Sequence, residues 1–291
     1  MKIGVIYPQT EFSSDPGAVR EYAQSAEALG YSHILAYDHV LGANPDRPDR
    51  LSGPYTHEHP FMEPLVLFGF MAAATRSIGL TTGVIILPQR QAVLVAKQAA
   101  TLDVLCGGRL RLGVGLGWNQ VEYAALGENM RTRGKRINEQ IEVMRRLWTE
   151  PLFSYSGTWH QINDAGLLPM PVQRPIPIWF GGHSEPMLRR AARLGDGWIP
   201  FARSAVQGRP VVESMLRHLD AAGRSRDSFG IDPRLDYEDG DSDALRRRLE
   251  DWRALGATHA SLNTMGFGLK GDRAHLEAIR KAAAALGLKP A

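Results

Sequence analysis

Gly107-Gly-Arg-Leu-Arg-Leu-Gly-Val-Gly-Leu-Gly-Trp-Asn119 decides how the rest of this chain is read. Arg109–Val114 alternates long and apolar side chains, as a short strand does. Gly115, Gly117 and the polar Asn119 follow at once, and a helical pattern begins soon after. A strand that runs through glycines into a helix brings bare backbone to the carboxyl end of a sheet. Backbone N–H groups there can approach a flat or phosphorylated ligand closely. A glycine pair also serves plain chain reversal, so the surrounding pattern has to arbitrate. The stretch is not a dinucleotide fingerprint. Trp118 stands where G-x-G-x-x-G needs its third glycine, and the strand comes fourth in the chain instead of first.

Working outward, strands are predicted at Lys2–Tyr7, His33–Tyr37 and Ile78–Leu87 before this stretch. Helices are predicted between them at Pro16–Leu29, Glu63–Thr75 and Ala92–Leu105 from their apolar spacing and stop signals. After it come a helix at Lys135–Trp148, a hairpin at Leu152–Ile162 and a fifth strand at Ile176–Phe180. Gly197–Pro200, Ser228–Leu235 and Ala257–Asn263 follow as strands, the seventh having the poorest pattern. They alternate with helices at Glu185–Leu194, Ala205–Ala222, Asp241–Leu255 and Arg273–Leu286. Eight strands alternating with helices predict an α/β protein, a (β/α)8 TIM barrel forming a single domain over residues 1–291. Such a barrel takes about 250 residues. The surplus is assigned to an insertion between strands four and five and to a long loop after strand two, running to Pro60. A doubly wound sheet would carry fewer strands and a phosphate loop after its first strand.

The 291 residues are 44% hydrophobic, ample for a large core. The net charge of +3 is spread among interleaved acids, as in Arg246-Arg-Arg-Leu-Glu-Asp251, which reads as a solvated helix face and not a nucleic-acid stripe. The apolar run at the start is too short for a signal peptide, and no stretch has the length and apolarity of a membrane span. Cys106 is the only cysteine, which rules out an intrachain disulfide framework, fits a reducing cytoplasm and reads as a packed thiol. The expected partner is therefore a small-molecule substrate, with neither nucleic acid nor membrane.

A barrel builds its active site from strand carboxyl ends. Those ends are Tyr7 and Pro8, Asp38 and His39, Gly83 to Leu87, Gly115 to Asn119, Gly181 to Ser184, Pro200, Asp236 and Asn263. The set is rich in glycine and thin in carboxylates, which argues against two-carboxylate glycoside hydrolysis. It holds no Ser-His-Asp combination. Gly181-Gly182-His183-Ser184 reads as a phosphate site, with two glycines after a strand and Ser184 as helix N-cap; an ordinary N-cap is the alternative. His57-Glu58-His59 lacks the His-Glu-x-x-His spacing of a metal site and lies in a loop, so it reads as part of a lid.

At these residues the chain resembles the bacterial luciferase-like superfamily of flavin and deazaflavin oxidoreductases. The resemblance runs nearly end to end, through Ala26-Glu-Ala-Leu-Gly-Tyr31, Tyr37-Asp-His-Val40, Gly83-Val-Ile-Ile-Leu-Pro88 and Lys97-Gln-Ala-Ala-Thr-Leu-Asp103. It continues in the Gly107–Asn119 stretch, Pro175-Ile-Pro-Ile-Trp-Phe-Gly-Gly-His183 and Ala192-Arg-Leu-Gly-Asp-Gly-Trp198. Within the superfamily it is most similar to the branch that uses coenzyme F420, where Asp-His after the second strand is typical.

The resemblance implies a cofactor across the barrel mouth and a non-proline cis peptide at Gly83-Val84 backing its ring. It implies cofactor contacts from Asp38, Gly83, Val84, Gly115, Gly117, Trp118, Asn119, Gly181, Gly182, His183 and Ser184. Asp38 and His39 become the catalytic pair, with Asp38 at the edge of the deazaflavin and His39 shuttling the substrate proton, a role open to a group that titrates near neutrality. The alternative for the pair is a buried structural cap. One departure stands out. Sugar-phosphate dehydrogenases of this branch carry a glutamate acid after strand four; Trp118 stands here and favours a flatter, less polar substrate. Three functions stay open. They are hydride transfer between coenzyme F420 and a small organic substrate, an FMN-dependent monooxygenase using reduced flavin and oxygen, and a flavin-binding protein without turnover. Pairing through the second and third helices implies a homodimer, with Phe70-Met-Ala-Ala-Ala-Thr75 and Ala92–Ala100 as the contact.

Overall fold

Alternating strand and helix patterns become alternating elements in the computed structural model, which describes every residue except Arg50, Ser52, Asp239, Gly240 and Ala291. The first half contains β1 (Lys2–Ile6), α1 (Pro16–Ala28), β2 (His33–Ala36), α2 (Pro64–Ala74), β3 (Gly79–Thr82), β4 (Ile85–Ile86) and α3 (Ala92–Leu105). Then come β5 (Leu110–Gly115), α4 (Gln120–Ala125) and α5 (Arg133–Thr149). The predicted insertion is an antiparallel hairpin, β6 (Phe153–Ser156) and β7 (Gln161–Ala165). The second half contains β8 (Ile178–Gly181), α6 (Glu185–Leu194), β9 (Gly197–Ile199), α7 (Ala205–Ala221), β10 (Gly230–Ile231), β11 (Arg234–Asp236), α8 (Ser242–Ala254), β12 (His259–Asn263) and α9 (Asp272–Ala285).

The main sheet is parallel and runs β10-β9-β8-β5-β3-β2-β1-β12-β11, with β4 beside β5. It curls as a TIM barrel, and two expected strands are each split in two. Ile78–Leu87 breaks at Gly83-Val84, which is a cis peptide, so β3 pairs with both β2 and β5 while β4 pairs with β5. Ser228–Leu235 breaks at Asp232-Pro233, because Pro233 has no N–H to give a ladder. Its first half pairs with β9 and its second with β12. Thr258 N donates to Ile231 O at 3.1 Å and Ser261 N to Pro233 O at 2.9 Å, so the broken strand joins the two edges of the sheet.

Buried strands read as near-continuous apolar runs because helices cover them outside. Val5, Ile34, Leu80, Leu112, Val114 and Ile178 are fully buried. Helix starts are set by acids and proline. Asp15 accepts from Ala18 N at 2.9 Å and Glu63 from Val66 N at 2.8 Å, each just before a proline at the first helical position. Toward the amino ends of the strands the barrel interior is polar. Arg111 Nη2 lies 2.6 Å and His33 Nε2 3.1 Å from Asp232 Oδ2, while Ser261 Oγ donates to Asp232 Oδ1 at 2.9 Å. The Arg111 guanidinium lies over the Trp179 ring, 4.2 Å from its centroid.

Helices α2 and α3 differ from the rest in having apolar residues on every side. Val66, Phe70, Val93 and Leu94 are exposed on their outer faces.

Candidate active site at the barrel mouth

Three strand ends meet at Val84. An ideal Cβ on Gly115 would lie 2.5 Å from Val84 Cγ2, and one on Gly181 would lie 2.8 Å from Val84 Cγ1. Glycine at both positions is therefore the space Val84 occupies, and the bare backbone expected to meet a ligand is partly covered by this side chain. Gly117 has φ +67°, a conformation that suits glycine, and a Cβ there would meet Ile86 Cγ2 at 2.7 Å. Gly83 is closed off by Leu35 in the same way. The result is an apolar seat on the third, fourth and fifth strands of the barrel, a shape that fits one face of a flat ring.

Asp38 is buried at the end of the second strand. Its Oδ2 accepts from Ile86 N at 3.1 Å and its Oδ1 from Arg90 Nη2 at 2.8 Å. Arg90 also donates to Glu63 Oε1 at 3.0 Å, tying the start of α2 to the bulge. Burial raises the Asp38 carboxyl above its ordinary value, with Arg90 and the Ile86 N–H opposing. Both oxygens are engaged by protein, the arrangement of a structural cap for the bulge beside Val84.

His39 is held differently. Its ring centroid lies 4.9 Å from that of Tyr55, 4.8 Å from Phe61 and 5.7 Å from Trp118. Its Nδ1 lies 3.8 Å from Glu122 Oε1. Trp118 in turn fills the space beside Gly53, so the long loop after β2 is packed onto the end of the fourth strand. Three aromatic rings and a buried carboxylate surround the imidazole.

Glu122 escaped the sequence reading. It sits in the first turn of α4, is buried, and accepts from Val40 N at 2.5 Å, Leu41 N at 3.2 Å and Gln89 Nε2 at 3.1 Å. Burial raises its carboxyl, but the neighbouring His39 ring, the Gln89 amide and the Val40 N–H prevail and hold it below the ordinary range. Asn119 caps the same helix, accepting from Val121 N at 3.0 Å and Glu122 N at 3.2 Å, and its amide donates to Leu41 O at 3.2 Å. Its groups thus hold the loop to the helix. An acid three residues past a helix cap is common enough to go unnoticed; only its position across from His39 singles it out.

Gly182 has φ +112° and its carbonyl accepts from Trp198 Nε1 at 2.7 Å. His183 and Ser184 are exposed, and Ser184 occupies the N-cap position of α6 without a side-chain capping bond. Its hydroxyl and the Glu185 N–H are the kind of donors an anion takes; Pro186 has no N–H, and Met187 N already donates to Ser184 O at 2.8 Å. Arg190, a nearby cation, is turned away. Its guanidinium donates to Asn138 Oδ1 at 2.7 Å and Gly134 O at 2.8 Å on α5. In the loop after β2, His59 Nδ1 accepts from Thr56 N at 3.0 Å.

Arg234 is the second residue the sequence reading passed over. It donates to Asp236 Oδ2 at 3.0 Å, and Asp236 accepts from Asn263 Nδ2 at 2.9 Å. It lies against Tyr37 and near Tyr55; burial raises both phenols and Arg234 opposes this. Residues i and i+2 share a strand face, so Asp236 at the strand end already placed Arg234 on the same side.

Among known proteins, the model of the luciferase-like monooxygenase family matches residues 1–288. An uncharacterised protein of Mycobacterium tuberculosis is 40% identical over 211 residues, covering 70% of this chain and 72% of that protein. The F420-dependent hydroxymycolic acid dehydrogenase of the same organism is 29% identical over 255 residues, 86% of this chain and 66% of that protein. The FMNH2-dependent dimethylsulfone monooxygenase of Pseudomonas putida is 29% identical over 229 residues, 77% of this chain and 59% of that one. Among solved structures, a monooxygenase from Streptomyces bottropensis superposes with a TM-score of 0.80 at 22% identity, covering 98% of both chains.

Proposed function

The chain belongs to the luciferase-like monooxygenase family, and from that premise we propose that it transfers a hydride between coenzyme F420 and a small organic substrate at the barrel mouth. The observation that carries the chemistry is His39, fixed by Tyr55, Phe61, Trp118 and Glu122 at the strand end next to the Val84 seat. Its Nδ1 is turned to Glu122, so Nε2 is the atom that gives a proton to the substrate or takes one from it. Coenzyme F420, when bound, supplies or takes up the hydride at its ring. Val84, with Gly83, Gly115 and Gly117 around it, seats one face of that ring. Gly182, His183 and Ser184 hold its phosphate. Trp118 walls the substrate side, and Asn119 secures the loop behind it. Asp38 acts at one remove, keeping the Val84 bulge in place through Ile86 N and Arg90.

The F420 choice is supported by the Asp38-His39 pair and by the similarity to the mycobacterial F420-dependent dehydrogenase. The second reading, an FMN-dependent monooxygenase, is supported by the similarity to the Pseudomonas enzyme. Parallel titrations of the purified protein with F420 and with FMN, followed by fluorescence, separate them. Tight binding of F420 alone and hydride exchange from reduced F420 are expected; tight binding of FMN alone overturns the choice. F420 binding without exchange to any acceptor leaves a flavin-carrying protein in its place.

The same proposal includes a cytoplasmic homodimer. Exposed apolar side chains mark a protein interface, and α2 and α3 each leave such side chains uncovered, Val66 and Phe70 on one and Val93 and Leu94 on the other. The lone, buried Cys106 suits a reducing compartment.

A further inference from the structure

Beside the catalytic mouth lies a cavity of about 320 Å³, lined by Pro200, Phe201, Ala202, Arg203, Gln207 and Arg234. That volume is at the lower end of small-ligand pockets. Its wall is formed by the segment after β9, the first turn of α7 and the strand β11. Two arginines and no acid are among its lining residues. Arg203 is exposed and forms no ion pair among the described residues. Arg234 spends one edge on Asp236 and lies 6.0 Å from the centroid of Phe201. Phe201 is 73% exposed, an aromatic ring offered to solvent at the rim, with the His183 ring stacked 6.4 Å away. A planar apolar surface beside forked donors is how proteins take a flat ligand that ends in a carboxylate or phosphate.

We propose that this cavity is an anion subsite, in which Arg203 and Arg234 hold the acidic oxygen group of a ligand whose apolar body lies on Phe201. Its place in the mouth gives it a purpose. Arg234 borders Tyr37 and Tyr55, and the Tyr55 ring is 4.9 Å from that of His39. A substrate with its reacting carbon at His39 and its acid at Arg203 spans the mouth through this row. The substrate class is then a small aromatic or alkyl acid. This assignment of class rests on the reading of His39 as the reacting end; the subsite itself does not.

The test is direct binding to the full-length protein, with benzoate and its neutral isostere benzamide as probes, followed by calorimetry in the presence and absence of F420 or FMN. Benzoate is expected to bind at least tenfold more tightly than benzamide. Arg203→Ala should abolish that preference and Arg203→Lys retain most of it, with the melting temperature unchanged because the side chain is exposed. The cofactor's own acidic tail is the other source of the same chemistry. In that case the benzoate preference is seen without cofactor but lost when F420 or FMN is bound, and Arg203→Ala weakens the cofactor at least tenfold. If the probes bind alike and Arg203→Ala leaves cofactor affinity unchanged, the subsite is wrong. None of these readouts needs turnover, so a failed cofactor assignment and a failed subsite remain distinguishable.

Discussion

Glu122 Oε1 lies 3.8 Å from His39 Nδ1 while accepting the N–H of the next residue, Val40, at 2.5 Å. One carboxylate therefore sets both the ring and the loop that carries it. Glu122→Gln keeps an acceptor for Val40 but removes the charge beside the ring. We expect kcat to fall by about 100-fold, the cost of misplacing a reacting group by about 1 Å, with cofactor affinity unchanged. Glu122→Ala leaves Val40 N, Leu41 N and Gln89 without their partner and should also lower stability by about 1–3 kcal/mol. Steady-state kinetics and thermal melts of the two variants check this; equal kcat in Glu122→Gln and wild type would show that the carboxylate only anchors the loop.

The glycine at 115 makes a steric prediction. A methyl group there would sit 2.5 Å from Val84 Cγ2. Gly115→Ala should cost about 1–3 kcal/mol from overpacking and weaken cofactor binding by tilting the seat. Adding Val84→Ala removes the clashing methyls, so the double variant should regain stability relative to Gly115→Ala. Denaturant melts of the two single variants and the double variant provide the cycle. Additive losses would mean that Val84 and residue 115 do not share the space.

The barrel was legible because strands buried under helices leave apolar runs, and each run here is followed by a helical pattern with its own caps. Its two broken strands were less legible for a physical reason. An unbroken apolar run such as Ile78–Leu87 looks the same whether or not the backbone bulges within it, and only the family resemblance marked Gly83-Val84. Pro233 is a signal for the other break, since it cannot donate to a ladder, but Ser228–Leu235 is expected as one strand with a poor pattern and not as two. Of the site, the strand-end rule found His39, Trp118 and the glycines because their positions follow from the fold alone. Arg234 lies only two positions from its partner Asp236 and was open to reading from strand alternation, but Glu122 and Arg90 went unseen because what matters in each is a distant partner, 52 positions away for Arg90–Asp38 and 82 for Glu122–Val40. No local spacing encodes such a pairing.

The apolar faces of α2 and α3 predict the assembly state. Leu94 is 52% exposed and Val66 72% exposed, in helices whose opposite faces are already buried. Light scattering at micromolar concentration should give about twice the 32.1 kDa chain mass. Leu94→Asp places a charge where a desolvated contact is expected and should yield monomer without unfolding the barrel. A monomeric mass for the unaltered protein would defeat the dimer.

Acid should destabilise the barrel well before the carboxylates titrate. Burial, followed by the nearby Arg111, pushes the His259 ring down to about 3 from 6.5. Burial also lowers His33 and His275. Asp232 is held below the ordinary carboxylate range; burial alone would raise it, and the His33 ring and Arg111 overcome that. For every one of these groups the folded chain binds protons less readily than the unfolded chain. Stability is therefore complete above about pH 7 and is lost as pH falls, first through the histidines from their ordinary value of 6.5 downward and only below 3.8 through Asp232. Each histidine that stays neutral adds a slope of up to ~1.4 kcal/mol per pH unit. Between about pH 5 and 6 the unfolded carboxylates are mostly ionised, so the histidines dominate the slope there. His259→Gln removes one of them from a half-buried position where an amide can replace its contact with Thr258. Urea melts across that interval should show the slope of stability against pH reduced by about one proton's worth in the variant. An unchanged slope would place the acid sensitivity elsewhere, in His33 beside Asp232 or in His275 beside Glu11.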